Sequence, residues 1–93
     1  MLQVDISTLE QCDTIRFANG LTALVCDVIY APLNDHVHIG EYIVYFFVNE
    51  TRQWDVKHYR ANGTRGQFSK DQQIEWTPAM SNGWFITEII KRC

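Results

Sequence analysis

Asp13-Thr14-Ile15-Arg16-Phe17-Ala18-Asn19-Gly20, followed without a break by Leu21-Thr22-Ala23-Leu24-Val25-Cys26-Asp27-Val28-Ile29-Tyr30, decides the fold. Two runs rich in β-branched and aromatic residues flank an Asn-Gly pair, which suits the positive φ that a tight two-residue turn needs at both central positions. The stretch predicts a β-hairpin. Working outward, Asn62-Gly63 separates Gln53–Ala61 from a short run at Thr64–Phe68 and predicts a second hairpin. Between them, 31–35 contains Pro32 and reads as a loop, and 37–48 reads as one long strand with Gly40 marking a bulge. Asn49-Glu50-Thr51-Arg52 turns that strand into the next.

Beyond Phe68 the strand signal weakens. Pro78 and Ser81-Asn82-Gly83 break any long element, so 69–83 reads as a loop or arm with a short strand near Ile74–Trp76. Strand character returns at Trp84–Ile90, and Lys91-Arg92-Cys93 is expected to fray. At the other end, Ser7-Thr8-Leu9-Glu10 fits one helical turn capped by Ser7. Five to six short strands, with no helical pattern long enough for a crossover, predict a single mainly β domain over 1–93, an antiparallel meander curled into a small barrel. Leu21 to Tyr30 and Tyr42 to Val48 are apolar at both parities, so each strand has two dry sides. One side fills the core. The other needs cover from the 69–83 arm, from the terminal segments, from a partner or from a second copy, and if bare it marks an interaction surface.

The 93 residues allow one domain with little room for a deep enclosed site, and a hydrophobic fraction of 46% excludes a disordered chain. The net charge of −3 is unevenly spread. Residues 1–50 hold seven acids against Arg16, whereas 51–70 hold Arg52, Lys57, Arg60, Arg65 and Lys70 against Asp55. Cys12, Cys26 and Cys93 form no CxxC pair and leave an odd thiol after any pairing, which argues against a disulfide scaffold and for a reducing cytosol. No apolar run approaches the roughly 18 residues of a membrane helix, so no membrane partner is expected.

Asp5-Ile6-Ser7-Thr8-Leu9, Asp13-Thr14-Ile15-Arg16-Phe17-Ala18-Asn19-Gly20, Trp54 and Tyr59 ahead of Asn62-Gly63, and Ile86-Thr87-Glu88-Ile89-Ile90 together resemble small proteins of tailed-bacteriophage genomes. The usual pattern of those proteins is an "IDxSTL, DxIxFRNG" opening, a "W…Y..DG" hairpin and an "IxEII" close. Here Asn-Gly replaces Asp-Gly, and residues 71–85 follow a different sequence. The resemblance implies a phage origin and an SH3-like β fold, and it carries over no catalytic residue. It also implies an accessory role in the host cytoplasm, binding and modulating a host bacterial protein, as an anti-CRISPR-like or host-takeover inhibitor does.

The residues suggest binding rather than turnover. His36 and His38 share strand parity, but no third ligand stands at a supporting spacing, so no metal is expected. No serine or cysteine lies in a nucleophile motif, Cys26 reads as a small buried apolar residue, and Thr64-Arg65-Gly66-Gln67 lacks the Lys-Ser/Thr end of a phosphate loop. No enzyme activity and no cofactor are expected. Arg52, Lys57, Arg60 and Arg65, interleaved with Trp54, Tyr59 and Phe68, form a basic aromatic hairpin over 52–70 that could neutralise phosphates and stack on bases. A nucleic acid or a signalling nucleotide is therefore the alternative partner. Trp54 and Tyr59 have opposite strand parity, however, so one of them must face the core. The candidate partner-binding residues are Arg52, Lys57, Arg60, Arg65, Tyr45 and Trp84, and a homodimer is a further option.

Overall fold

The computed structural model describes residues 4–32, 39–69 and 71–93. A 3-10 turn at Ile6–Thr8 precedes seven strands, β1 (Thr14–Phe17), β2 (Thr22–Tyr30), β3 (Tyr42–Val48), β4 (Gln53–Tyr59), β5 (Gly66–Phe68), β6 (Gln73–Glu75) and β7 (Ile86–Lys91). The mainly β expectation holds. Five strands form one antiparallel sheet in the order β4-β3-β2-β1-β7, and β5 with β6 forms a separate two-stranded sheet. Among the described residues the edge strands β4 and β7 do not pair, so the large sheet does not close into a barrel. Instead, the turn after β4 reaches the start of β7, where Ile86 N donates to Gly63 O at 2.9 Å, and the N-terminal segment bridges alongside through Ile6 N to Ala61 O at 2.8 Å. No helix among the described residues is long and apolar enough to cross a membrane.

Both Asn-Gly pairs make tight turns, but by a different device from the one expected, and only the first joins a hairpin, β1 to β2. The second hairpin expectation is corrected, because β4 pairs with β3 while β5 pairs with β6 in the separate sheet. At the first, Gly20 N donates to Phe17 O and Phe17 N to Leu21 O, both at 2.9 Å, and Gly20 alone of the turn has positive φ, +88°. This is a type I turn completed by a left-handed glycine, a three-residue loop. The same pattern recurs at 60–64, with Gly63 at φ +83°, Gly63 N on Arg60 O and Arg60 N on Thr64 O. Gly40 is not a bulge within a long strand, because β3 begins at Tyr42. A Cβ at Gly40 would stand 2.2 Å from the Tyr59 carbonyl carbon, so the glycine lets the chain cross the end of β4.

The core lies on one side of the large sheet. Ile15, Phe17, Ala23, Val25, Val44, Phe46, Val48, Tyr59 and Ile86 fill it, together with Val4, Ile6 and Leu9 from the N-terminal segment. A bulge at Cys26 explains why β2 is apolar at both parities. Val25 pairs with Phe46 and Val28 with Val44, so the extra residue restores the inward face for the second half of the strand. Residues 71–83 include β6, which pairs with β5, and they leave Leu24, Ile29, Tyr45, Trp54 and Val56 on the sheet's other side exposed.

Both chain ends differ from expectation. The N-terminal turn is capped by Asp5, whose Oδ1 accepts from Ser7 N at 3.0 Å, because the turn starts two residues earlier than the Ser7 reading required. Residues 91–93 are held rather than frayed. Asp13, 2% exposed, accepts from Arg92 Nη1 at 3.0 Å, Cys93 N at 3.3 Å and Glu10 N at 2.9 Å. Arg92 also donates to Thr8 O at 2.6 Å and to Thr8 Oγ1 at 3.0 Å. Cys12 and Cys93 form a disulfide with their Cα atoms 5.4 Å apart, which corrects the expectation that the cysteines do not pair. The spacing is that of an ordinary disulfide.

Candidate functional site

The register across β2, β3 and β4 builds the outer face of the large sheet row by row. Leu24, Phe47 and Trp54 form one row, Asp27, Tyr45 and Val56 the next, and Ile29, Ile43 and His58 the third. Residues of matching parity in paired strands share a face, and these stand opposite to the core-facing Val25, Val44, Phe46 and Tyr59. Trp54 is 71% exposed, and Val56, Ile29, Leu24 and Tyr45 are each 40–45% exposed. Phe47 and Trp54 meet edge to face with ring centroids 5.0 Å apart, which props the indole in place. Trp54 alone leaves on the order of 150 Å² open. The face is therefore a contiguous apolar patch larger than scattered surface side chains produce.

Polar groups frame this patch at the β1 side. Arg16 and Glu88 pair at 3.3 Å. Glu50 accepts from Thr22 N and Thr22 Oγ1, both at 2.8 Å, and these bonds hold its carboxyl below its ordinary range, with a further push from Arg16. Along β4, an edge strand, two backbone groups turned away from β3 are already engaged: Val56 N donates to Asp55 Oδ1 at 2.8 Å, and His58 O accepts from Arg65 Nε at 3.1 Å. A blunted edge disfavours strand addition and leaves the face as the route of contact.

The basic hairpin is built differently from its sequence reading. Arg65 is 9% exposed, its guanidinium carbon 5.2 Å from the Trp76 ring and 5.8 Å from the Tyr59 ring. It is a buried fastener between β4 and the arm, not a displayed cation, and burial lowers its pKa. Tyr59 is fully buried, its hydroxyl has no hydrogen-bond partner among the described residues, and burial pushes that hydroxyl's pKa up. Arg60 pairs with Glu75 and lies 4.6 Å over Phe68, and Lys57 pairs with Asp55 at 3.3 Å and lies 5.0 Å over Trp84. Arg52 alone of these four has no ion pair or ring contact among the described residues, standing exposed at φ +56° in the turn before β4. Of the rings in 52–70, Phe68 and Tyr59 are thus covered by the protein's own cations, and Trp54 stays open beside Phe47.

Of the predicted site residues, then, only Tyr45 lies on the outer face. Trp84 packs against Phe17 at 4.8 Å and Phe46 at 6.1 Å, on the core side rather than at the surface. Leu24, Ile29 and Val56 were missed, and Trp54 was read only as a base stacker. Parity with the buried Tyr59 would have placed Trp54 and Val56 outward. Among the described residues no group of three or more His, Cys, Asp or Glu converges as a metal site. The paired-histidine reading at His36 and His38 lies outside the described residues, as does Lys70. No protein-family model, curated protein or solved structure matches this chain.

Proposed function

We propose that this protein acts by binding, without catalysis, and that the outer face of its β2-β3-β4 sheet takes a protein partner. One observation carries the reading: Trp54, Val56, Ile29, Leu24 and Tyr45 stand open on a single sheet face that the arm leaves uncovered. Aromatic anchors surrounded by aliphatic side chains and a polar rim are the makings of an interface centre. The partner presents an apolar patch of its own, with basic groups to meet Asp27 and Glu50. In line with the phage resemblance, that partner is a host bacterial protein and the setting an accessory or counter-defence role in the host cytoplasm.

The test is a pull-down from bacterial lysate with wild-type protein, a Tyr45→Ser/Trp54→Ser double variant and an Arg60→Glu variant, each with and without nuclease. Any captured protein is then purified and its affinity for the three chains measured. The reading expects one stoichiometric protein that survives nuclease, binds Arg60→Glu as it binds wild type, and loses at least about a hundredfold in affinity for the double variant. Capture that depends on nucleic acid or on Arg60 would instead favour the basic hairpin. Self-association abolished by the double variant would assign the face to a second copy of the chain.

A further inference from the structure

We propose that Cys12 and Cys93 are a thiol–disulfide exchange site for small disulfides and thiols of the glutathione class, with Asp13 as its positioning residue. The two cysteines are 81 residues apart in sequence, so closing the loop in an unfolded chain carries a large entropic cost. Three contacts that do not involve sulfur remove that cost in the folded protein. Asp13, next in sequence to Cys12, takes the Cys93 backbone N–H on Oδ1 and the Arg92 guanidinium on Oδ2. Arg92 is held in addition by Thr8 O and Thr8 Oγ1. Asp13 itself is buried and fixed by Glu10 N, so its carboxylate is a rigid template.

Cys12 adds a second sign of a built arrangement. It stands at φ +79°, a conformation that a cysteine adopts when its surroundings impose it, and Cys12 N donates to Val25 O at 2.8 Å. Both cysteines are exposed, so a small reagent reaches them. Cys26 differs on each count: it is half-buried in the β2 bulge, and burial pushes its thiol's pKa up. It is neither positioned for exchange nor needed for it.

Closure balances as two exchanges. One thiol of the pair, as thiolate, attacks a sulfur of oxidised glutathione, forming a mixed disulfide and releasing one glutathione thiolate. The second attacks the protein sulfur of that mixed disulfide, forming the Cys12–Cys93 bond and releasing the other. The dithiol loses two electrons and two protons, and the small disulfide is reduced to two thiols. Opening is the reverse, driven by excess reduced glutathione.

The experiment equilibrates protein carrying Cys26→Ser in glutathione buffers of graded ratio, quenches by alkylation and reads intact mass. Asp13→Asn and Arg92→Gln are compared on the same background, at a temperature where circular dichroism shows each variant folded. The expected result is a single two-electron closure with mixed disulfide below about a tenth of the protein. Asp13→Asn should move the closure constant at least about tenfold toward the open form and let mixed disulfide accumulate, since each contact to the carboxylate is charge-assisted. Arg92→Gln, which removes a half-exposed side chain, should do the same to a smaller degree and decides the matter if Asp13→Asn does not fold. Closure constants unchanged in the folded variants, or doubly glutathionylated or intermolecular products in the parent, would overturn the proposal.

Discussion

Gly20 and Gly63 occupy the same position of the same turn, and replacing each by alanine separates two costs that are usually confounded. At Gly20, φ is +88° and a Cβ would meet nothing within 4 Å. Gly20→Ala therefore incurs the left-handed penalty alone, about 1–2 kcal/mol, partly offset by about 0.4–1 kcal/mol from the stiffer unfolded chain. At Gly63, φ is +83°, but a Cβ would lie 2.3 Å from Ile86 O and 3.3 Å from Ile86 C, both backbone atoms. The Ile86 peptide must retreat, and Ile86 N is the donor to Gly63 O at 2.9 Å. Stretching that bond between two buried residues adds roughly 1–3 kcal/mol. Gly63→Ala should thus lose about 2 kcal/mol more than Gly20→Ala in urea unfolding, and a chain already unfolded without urea would lie on the same side. Equal losses would refute the claim that the 60–64 turn is locked against β7.

Arg65→Lys should destabilise by about 1–2 kcal/mol, because an ammonium cannot cover both the Tyr59 and Trp76 rings while donating to His58 O; an unchanged urea midpoint would remove Arg65 from its role as a fastener. Cys26 has a thiol raised by burial and lowered less by a hydrogen bond with the Phe47 backbone, so the fold favours the neutral form. Its contribution to stability is present below the ordinary thiol pKa and is lost as pH rises through the raised one. Iodoacetamide labelling of Cys26 should accordingly be slower at pH 8 than that of an unstructured cysteine peptide, measured by mass spectrometry; equal rates would contradict the burial assigned to it.

Legibility followed the range of the interactions. The two Asn-Gly turns could be read because such a turn is decided within four or five residues, although the hydrogen bonding was misassigned, since Leu21 closes the first turn on Phe17. The second turn leads not to a hairpin but to β5, whose partner β6 lies further along the chain. The cysteine pair could not be read, since it joins positions 81 residues apart and depends on a carboxylate that looks like any other surface acid in sequence. Arg65 was misread for a related reason. A charge in a hairpin reads as solvated, and only the arm's return brings Trp76 over it, eleven positions later. Trp84 and Trp54 look alike in sequence, yet one packs on Phe17 and the other stands in solvent, because one lies beneath the core side of the sheet and the other on its outer face.

The same geometry bears on the choice between protein and nucleic acid as partner. If Arg52, Lys57, Arg60 and Arg65 all met phosphates of a single strand, the logarithmic salt slope would be about −2.8, and affinity would fall roughly fiftyfold between 50 and 200 mM salt. With Lys57 and Arg60 held by Asp55 and Glu75, and Arg65 buried, about one contact remains, and the fall shrinks to roughly threefold. A surface that gives up so little to salt also gains little from phosphate. What the molecule leaves unspent is apolar: a tryptophan, a tyrosine, a valine, a leucine and an isoleucine on one face, whose burial grows with contact area and depends little on salt. A complex that weakens steeply with salt would therefore require the ion pairs at Lys57 and Arg60 to open first, and the Arg60→Glu variant would report it.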